Sequence, residues 1–403
     1  MENKSVSPAI SKTIESLFEQ KKYVTIRDVL STMQGIDIAY MFSELDQNML
    51  PLLFRLLPKE LAADTFVEMD DDAQEMLIHG FSDTELKEII DELYVDDMVD
   101  LVEEMPANVV KRILRTADAE TRKAINEILK YPDDSAGSIM TTEYVALKKN
   151  MTVEQAFAHI RKYAVDKETI YTCYVTDNRK LMGIVTVKEL LLASYEDVIG
   201  DIMETNVIAV DTHEDQEVVA NMFDKYDLMA LPVVDKENRV VGIITVDDAI
   251  EVIIEEHEED IEAMAAILPS DKSYMQTGIF ETWKKRIPWL LLLMLSSTFT
   301  GMIIQSFESA LAGCVALTAF MPMLMGTGGN AGSQASVTII RGLSLDEIEY
   351  KDTLKVVFKE FRTAILAGLA LAIVNFGKLM LIDKVGLNIA MVISLSLFVT
   401  VCA

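Results

Sequence analysis

MPMLMGTGGNAGSQ, residues 321–334, lies in a stretch without a charged side chain from Ser309 to Ile340. A helix that only anchors a chain in lipid has no use for four glycines, an asparagine and a glutamine. Glycine lets a neighbouring backbone approach closely. Asn330 and Gln334 supply amide oxygens, which hard cations accept directly or through their water shell. Polar, non-helical backbone at membrane depth is tolerated only where it faces protein or a water-filled cavity. The stretch is therefore expected to expose backbone carbonyls and to line a pore through Gly328, Gly329, Asn330 and Gln334.

Outward from that stretch, the composition divides. The 403 residues carry a net charge of −29, yet half are hydrophobic and the mean hydropathy is +0.23. An acidic soluble part followed by an apolar membrane part reconciles these figures, and the sequence changes character near residue 286. The acidic balance excludes a basic groove for nucleic acid. Cys173, Cys314 and Cys402 show no CxxC spacing, so neither a disulfide framework nor a thiolate metal site is indicated. The N-terminus lacks the apolar core of a cleavable signal, which is expected to keep the acidic part in the cytoplasm.

Residues 1–130 read as short amphipathic helices, such as LPKELAADTFVEM (57–69) and YVDDMVDLVEEM (94–105). Helix starts are expected at Pro58, Ser82, Pro106 and Asp118. The reading is an all-α, superhelical domain whose charges are mostly solvated. A duplication follows: GSIM at 137–140 returns as GDIM at 200–203, and LMGIVTVKELL (181–191) returns as VVGIITVDDAI (240–250). Each half is extended segment, helix, two β-rich runs and helix. This order resembles a tandem pair of CBS domains, at 136–197 and 198–254, an α/β module that binds adenine nucleotides or metal. Repeat two keeps the G-h-h-T-x-x-D pattern at Gly242, Thr245 and Asp248, while repeat one has Gly183, Thr186 and Glu189. Thr245 and Asp248 are thus the nucleotide-binding candidates.

Residues 255–285 read as an acidic connecting helix that turns basic just before the membrane part, 286–403. Four apolar segments, Ile287–Gln305, Ala310–Gly329, Thr363–Leu381 and Leu387–Ala403, are long enough to cross a bilayer. Lys284, Lys285 and Arg286 precede the first, and Arg341, Lys351, Lys355, Lys359 and Arg362 lie between the second and third. The positive-inside tendency predicts a cytoplasmic N-terminus. The chain stops inside the fourth apolar run and is expected to lack later membrane segments.

Pro322, Met323, Leu324, Gly326, Gly328, Gly329, Asn330, Gly332 and Gln334 resemble the P-x-L-x-G-x-G-G-N-x-G-x-Q pattern of the MgtE family of magnesium channels and transporters. The order of parts agrees with that family. The resemblance implies a multidomain α and α/β membrane protein in a bacterial inner membrane, multi-pass and homodimeric, that conducts magnesium. In the family the last membrane helix brings an aspartate to the ion path, and this chain is expected to end before it. Asn375 is a weaker pore candidate, expected to form an interhelical hydrogen bond.

A second constellation is acidic: Asp215, Glu217, Asp224, Asp227, Asp247, Asp248, Glu251, Glu255, Glu256, Glu259 and Asp260. Close carboxylates repel by up to roughly 4 kcal/mol per pair at intermediate dielectric, and a divalent ion turns that repulsion into a bridge. The family resemblance narrows the sensor set to Asp96, Asp100, Asp215, Glu217, Asp227, Asp248, Glu251, Glu256, Glu259 and Asp260. Asp96 and Asp100 are four apart and share one helix face. Glu251 stands where an aspartate is usual.

His79, His159, His213 and His257 show no HxxxH spacing. No nucleophile–base set, P-loop or dinucleotide fingerprint is present, so the chain is expected not to be an enzyme or an ATP-driven pump. The function expected is magnesium conduction gated by cytoplasmic magnesium, with ATP or another adenine nucleotide as a further ligand of the CBS pair. A CBS-regulated transporter of cobalt or another ion, and a non-conducting magnesium or nucleotide sensor, stay open as alternatives.

Overall fold

A computed structural model describes residues 8–164, 167–269, 277–312, 315–344, 347–348 and 350–403. The chain divides into two compact units, Met1–Ile253 and Ile254–Ala403.

The first unit opens with ten helices among the described residues, from α1 (Pro8–Glu19) to α10 (Ala119–Ile128). Pro58, Ser82, Pro106 and Asp118 are the N-cap residues of α5 (Lys59–Val67), α7 (Asp83–Ile90), α9 (Ala107–Thr116) and α10, as expected. Ser82 and Glu85 form a full capping box, and the Asp118 carboxylate accepts from two backbone N–H groups. Such caps satisfy donors that a helix start leaves orphaned. Arg112 ties successive helices by donating to the carbonyls of Ile78 and Phe81 and to Asp83.

The duplication is visible as two three-stranded sheets. In the first, β1 (Ala146–Lys148) runs parallel to β2 (Thr172–Asp177), which pairs antiparallel with β3 (Lys180–Thr186). In the second, β4 (Val210–Asp211), β5 (Ala230–Val234) and β6 (Val240–Thr245) repeat that order. The bulge recurs at the same place, Val175/Thr176 and Val233/Val234. Each repeat packs its lead segment on the other's sheet. Thr141 bridges Ile243, and a Cβ on Gly242 would meet the Thr141 carbonyl at 2.6 Å. Glu204 bridges Ile184, and a Cβ on Gly183 would meet the Glu204 carbonyl at 2.6 Å. The recurring glycine therefore exists for this close approach.

The last two residues of the G-h-h-T-x-x-D motif are a cap. In repeat one, Thr186 and Glu189 form a capping box at the start of α12 (Val187–Leu192). In repeat two, Asp248 accepts from the N–H of Thr245 (3.2 Å) and from its hydroxyl (2.5 Å) at the start of α15 (Val246–Met264). The repeats differ in their cores. Repeat one has a separate apolar core around Leu147, Val153, Val175 and Val185. Repeat two shares one continuous core with the helical domain, in which Val219, Phe223, Ile244 and Val252 join Met98, Val99 and Ile113.

In the second unit, α16 (Ile279–Ser306) has no buried residue, and α17 (Glu308–Ala312) follows it. After α18 (Val315–Ser344) and a single 3₁₀ turn (Tyr350–Asp352), α19 (Thr353–Leu381) and α20 (Leu387–Cys402) form an antiparallel pair. Leu379, Ala390 and Ile393 are its centre, with Leu317, Phe320 and Leu324 of α18 packed against them. Gly368 lets α20 approach: a Cβ there would meet Phe398 at 3.2 Å. By length and composition, α16 and the stretch Tyr350–Leu381 suffice to cross a membrane.

One expectation is corrected. Residues 321–334 lie wholly within α18, which continues fifteen residues past the expected end at Gly329. The backbone carbonyls are engaged in helical bonds rather than exposed. Away from water, only the helix itself offers partners to backbone groups, which outweighs the weak helix propensity of glycine.

Candidate functional site

Helix α8 (Val95–Glu104) places Asp96 and Asp97 in its first turn and Asp100 one turn on. No side chain caps this helix start, and the N–H of Asp97 turns to the Asp96 carboxylate at 3.2 Å. Across from it, the first turns of α15 present Asp247, Asp248 and Glu251. Glu143, before β1, and Glu168, before β2, bring two more carboxylates from repeat one. All of these belong to the first unit.

Burial is the first cause that raises these carboxyls, and neighbouring carboxylates add to it. Burial, then Asp248, Asp97 and Glu168, push Asp96 well above the ordinary range. Burial raises Asp97 to about 6, reinforced by Asp248, Glu251 and Glu143, although its hydrogen bond from Tyr94 opposes the shift. Asp100 keeps its outer edge in solvent and is raised as well, by the surrounding protein and then by Glu251. Glu168 is pushed up to about 8, by burial and then by Asp248 and Asp247. Asp248 and Glu251 are raised chiefly by burial, and Glu68 is raised by burial and then by Glu251. A raised carboxyl means that its charged form is disfavoured here. The arrangement calls for a counter-charge.

Oxygen donors of this kind suit a hard cation. Glu168 Oε2 is buried without a hydrogen-bond partner. Among the described residues, no three Asp, Glu, His or Cys side chains converge into a ready-made coordination cage.

The residues expected from sequence fall into three places. Asp96, Asp100, Asp248 and Glu251 come together in the cluster. Asp215 and Asp227 flank α14 (Gln216–Tyr226), roughly 18 Å apart at 1.5 Å per residue, so one ion cannot bridge them. Asp215 caps that helix by accepting from the N–H of Glu217, and Asp227 ends it in the left-handed conformation (φ 52°). Glu256, Glu259 and Asp260 lie further along α15, in the second unit. Asp97, Glu143, Glu168 and Glu68 were not expected. Asp97 was legible as the neighbour of Asp96, whereas the three glutamates carry no local signal.

The pore candidates also separate. Gly328 faces α20, where a Cβ would meet Thr400 at 2.6 Å. Gly329, Asn330 and Gln334 are exposed on the chain's surface, the last two one helical turn apart. Asn375 is buried between α19 and α20, its Nδ2 without a hydrogen-bond partner. The expected interhelical bond is not formed by that atom.

Comparison with known proteins gives a consistent result. The profile of the MgtE intracellular N domain matches residues 33–134, CBS domains match 136–196 and 199–255, and a divalent cation transporter domain matches 321–403. The chain is 33% identical over 395 residues to the magnesium transporter MgtE of Thermus thermophilus, covering 95% of this chain and 88% of that protein. It is 34% identical over 386 residues to MgtE of Bacillus subtilis, covering 95% and 85%. The solved cytosolic domain of the Mg2+ channel MgtE in complex with ATP superposes with a TM-score of 0.57 at 33% identity, covering 60% of this chain and 99% of that one.

Proposed function

Because this chain belongs to the MgtE family of magnesium transporters, we propose that it is a magnesium channel gated by cytoplasmic magnesium. The observation that carries the sensing step is the carboxylate cluster between α8, α15 and repeat one, in which burial and neighbouring carboxylates raise Asp96, Asp97 and Glu168. Bound there, a hydrated magnesium ion supplies the missing counter-charge. Asp96, Asp100, Asp248 and Glu251 hold the ion's water shell, while Asp97 and Glu168 sense its field. Without the ion the like charges push α8 and α15 apart. With it, the shared apolar core of the helical domain and repeat two closes. Since α15 runs in sequence past Ile253 into the second unit, its position is the proposed signal that opens or shuts the pore.

An ion present at 100 times its dissociation constant stabilises the closed arrangement by about 2.7 kcal/mol per site. Asp215, Glu217, Asp227, Glu256, Glu259 and Asp260 are proposed as further sites outside this cluster. In the membrane part, Asn330 and Gln334 line the ion path, with Gly329 beside them. The N-terminus is proposed to be cytoplasmic, and the active form a homodimer through the CBS pair and the membrane part, with Leu191, Leu192 and Tyr195 exposed on repeat one. An adenine nucleotide is proposed at repeat two, beside Thr245 and Asp248.

The deciding experiment is limited proteolysis of the full chain in detergent, titrated with magnesium, calcium or potassium. Protection of the first unit over millimolar magnesium is expected, with weaker protection by calcium and none by potassium at matched ionic strength. Unchanged protection after alanine replacement of Asp96 and Asp248 together would falsify the sensing mechanism. Flux into vesicles with competing cobalt separates magnesium from other ions, and absence of any flux favours a sensor without conduction.

A further inference from the structure

Helix α19 has 29 residues, which is about 44 Å of helix against a hydrocarbon core of about 30 Å. Its uncharged run begins at Thr363, directly after Arg362. With residues 363–381 in the hydrocarbon core, residues 353–362 would reach the headgroup layer. Their surface has two sides. Leu354, Val357, Phe358 and Phe361 share an arc of roughly 100° and are exposed, from 50% at Phe361 to 85% at Leu354. Lys359 and Arg362 form the adjoining arc together with Lys355, which is paired with Asp352 at 2.6 Å, and the Arg362 guanidinium lies over the Phe358 ring at 5.8 Å. Helix α16 begins similarly: Phe280 and Trp283 are exposed beside Lys284 and Arg286.

We propose that the start of α19, supported by the start of α16, binds anionic phospholipid headgroups. An exposed apolar arc takes the glycerol and upper acyl region, and the cationic arc beside it takes the phosphate. Rings and cations alternating at this depth are the chemistry of membrane-interface anchoring. A free phosphate has nothing to place on Phe358 and Phe361, so a lipid, not inorganic phosphate, is the ligand. This rests on α19 crossing a bilayer and is independent of which side its start faces.

The test uses native mass spectrometry of the full chain in detergent, offered phosphatidylglycerol and phosphatidylcholine in competition. The wild-type chain is expected to retain phosphatidylglycerol preferentially. That preference should fall about fivefold for each charge removed in Lys359→Gln and Arg362→Gln, as expected for one cation near an anionic surface. It should also fall in Phe358→Ser, which removes no charge, and should stay unchanged in Lys87→Gln on α7. Inorganic phosphate should not compete. A single monodisperse peak in detergent, matching that of the wild type, reports that each variant is folded. Equal retention of both lipids by the wild type, or an unaltered preference in the Lys359 and Arg362 variants, overturns the proposal. A chain that is monodisperse without detergent overturns instead the reading of α19 as a membrane span.

Discussion

The two CBS repeats share strand order, bulge position, lead-segment exchange and the glycine that permits it, yet they are put to different uses. Repeat one ends its motif in Glu189, which closes a capping box on a helix of six residues. Repeat two ends it in Asp248, which caps a helix of nineteen residues and also faces Asp96. Repeat one keeps a core of its own, while repeat two merges with the helical domain. The difference teaches that duplication supplied a scaffold twice and that one copy was given the longer helix whose first turns face Asp96.

The strongest way to break this comparison is to fill the shared glycine. Gly242→Val and Gly183→Val each drive a side chain into a carbonyl, and overpacking of this kind costs about 1–3 kcal/mol or more. Gly242→Val is expected to lower the thermal midpoint further and to abolish magnesium protection, because its repeat shares a core with the helical domain. Equal losses of protection in both variants would contradict the division of labour.

Asp248→Asn against Glu189→Gln is a finer probe. Glu189→Gln weakens a cap, worth about 1 kcal/mol, and should leave the magnesium midpoint unchanged. Asp248→Asn removes a repelling charge. The magnesium-free chain should then be more resistant to protease, and the response to magnesium smaller, as read from one titration of each variant.

The mildest perturbation is pH. Asp97 and Glu168 have folded-state values of about 6 and about 8, above the 3.9 and 4.3 of free Asp and Glu. A carboxyl raised on folding favours the compact form below its unfolded value and loses that contribution as pH rises through the folded one. Without magnesium, protection of the first unit should fall as pH goes from about 5 to about 8. With saturating magnesium the slope should flatten.

Much of the fold was legible because it rests on local chemistry. Pro58, Ser82, Pro106 and Asp118 announce helix starts through their own preferences, and the repeat announces itself by recurrence. In the carboxylate cluster, Asp96, Asp100, Asp248 and Glu251 were reached through the family resemblance, with the four-residue spacing of Asp96 and Asp100 in agreement. Glu143 and Glu168 were not, since they sit in connections that only tertiary folding brings to α8. The glycines of residues 326–332 misled in the opposite direction, because their propensity in water says little about a helix with no water to compete.

The exchange of lead segments also sets the order in which this protein can be made. Thr141 finds its partner Ile243 only after about a hundred further residues have left the ribosome, roughly 5–20 s at ordinary rates of synthesis. Repeat one must wait with its lead segment unpaired until repeat two arrives, and repeat two cannot finish its sheet without it. Each half gains its last backbone partner from the other, so the pair closes as one clasp.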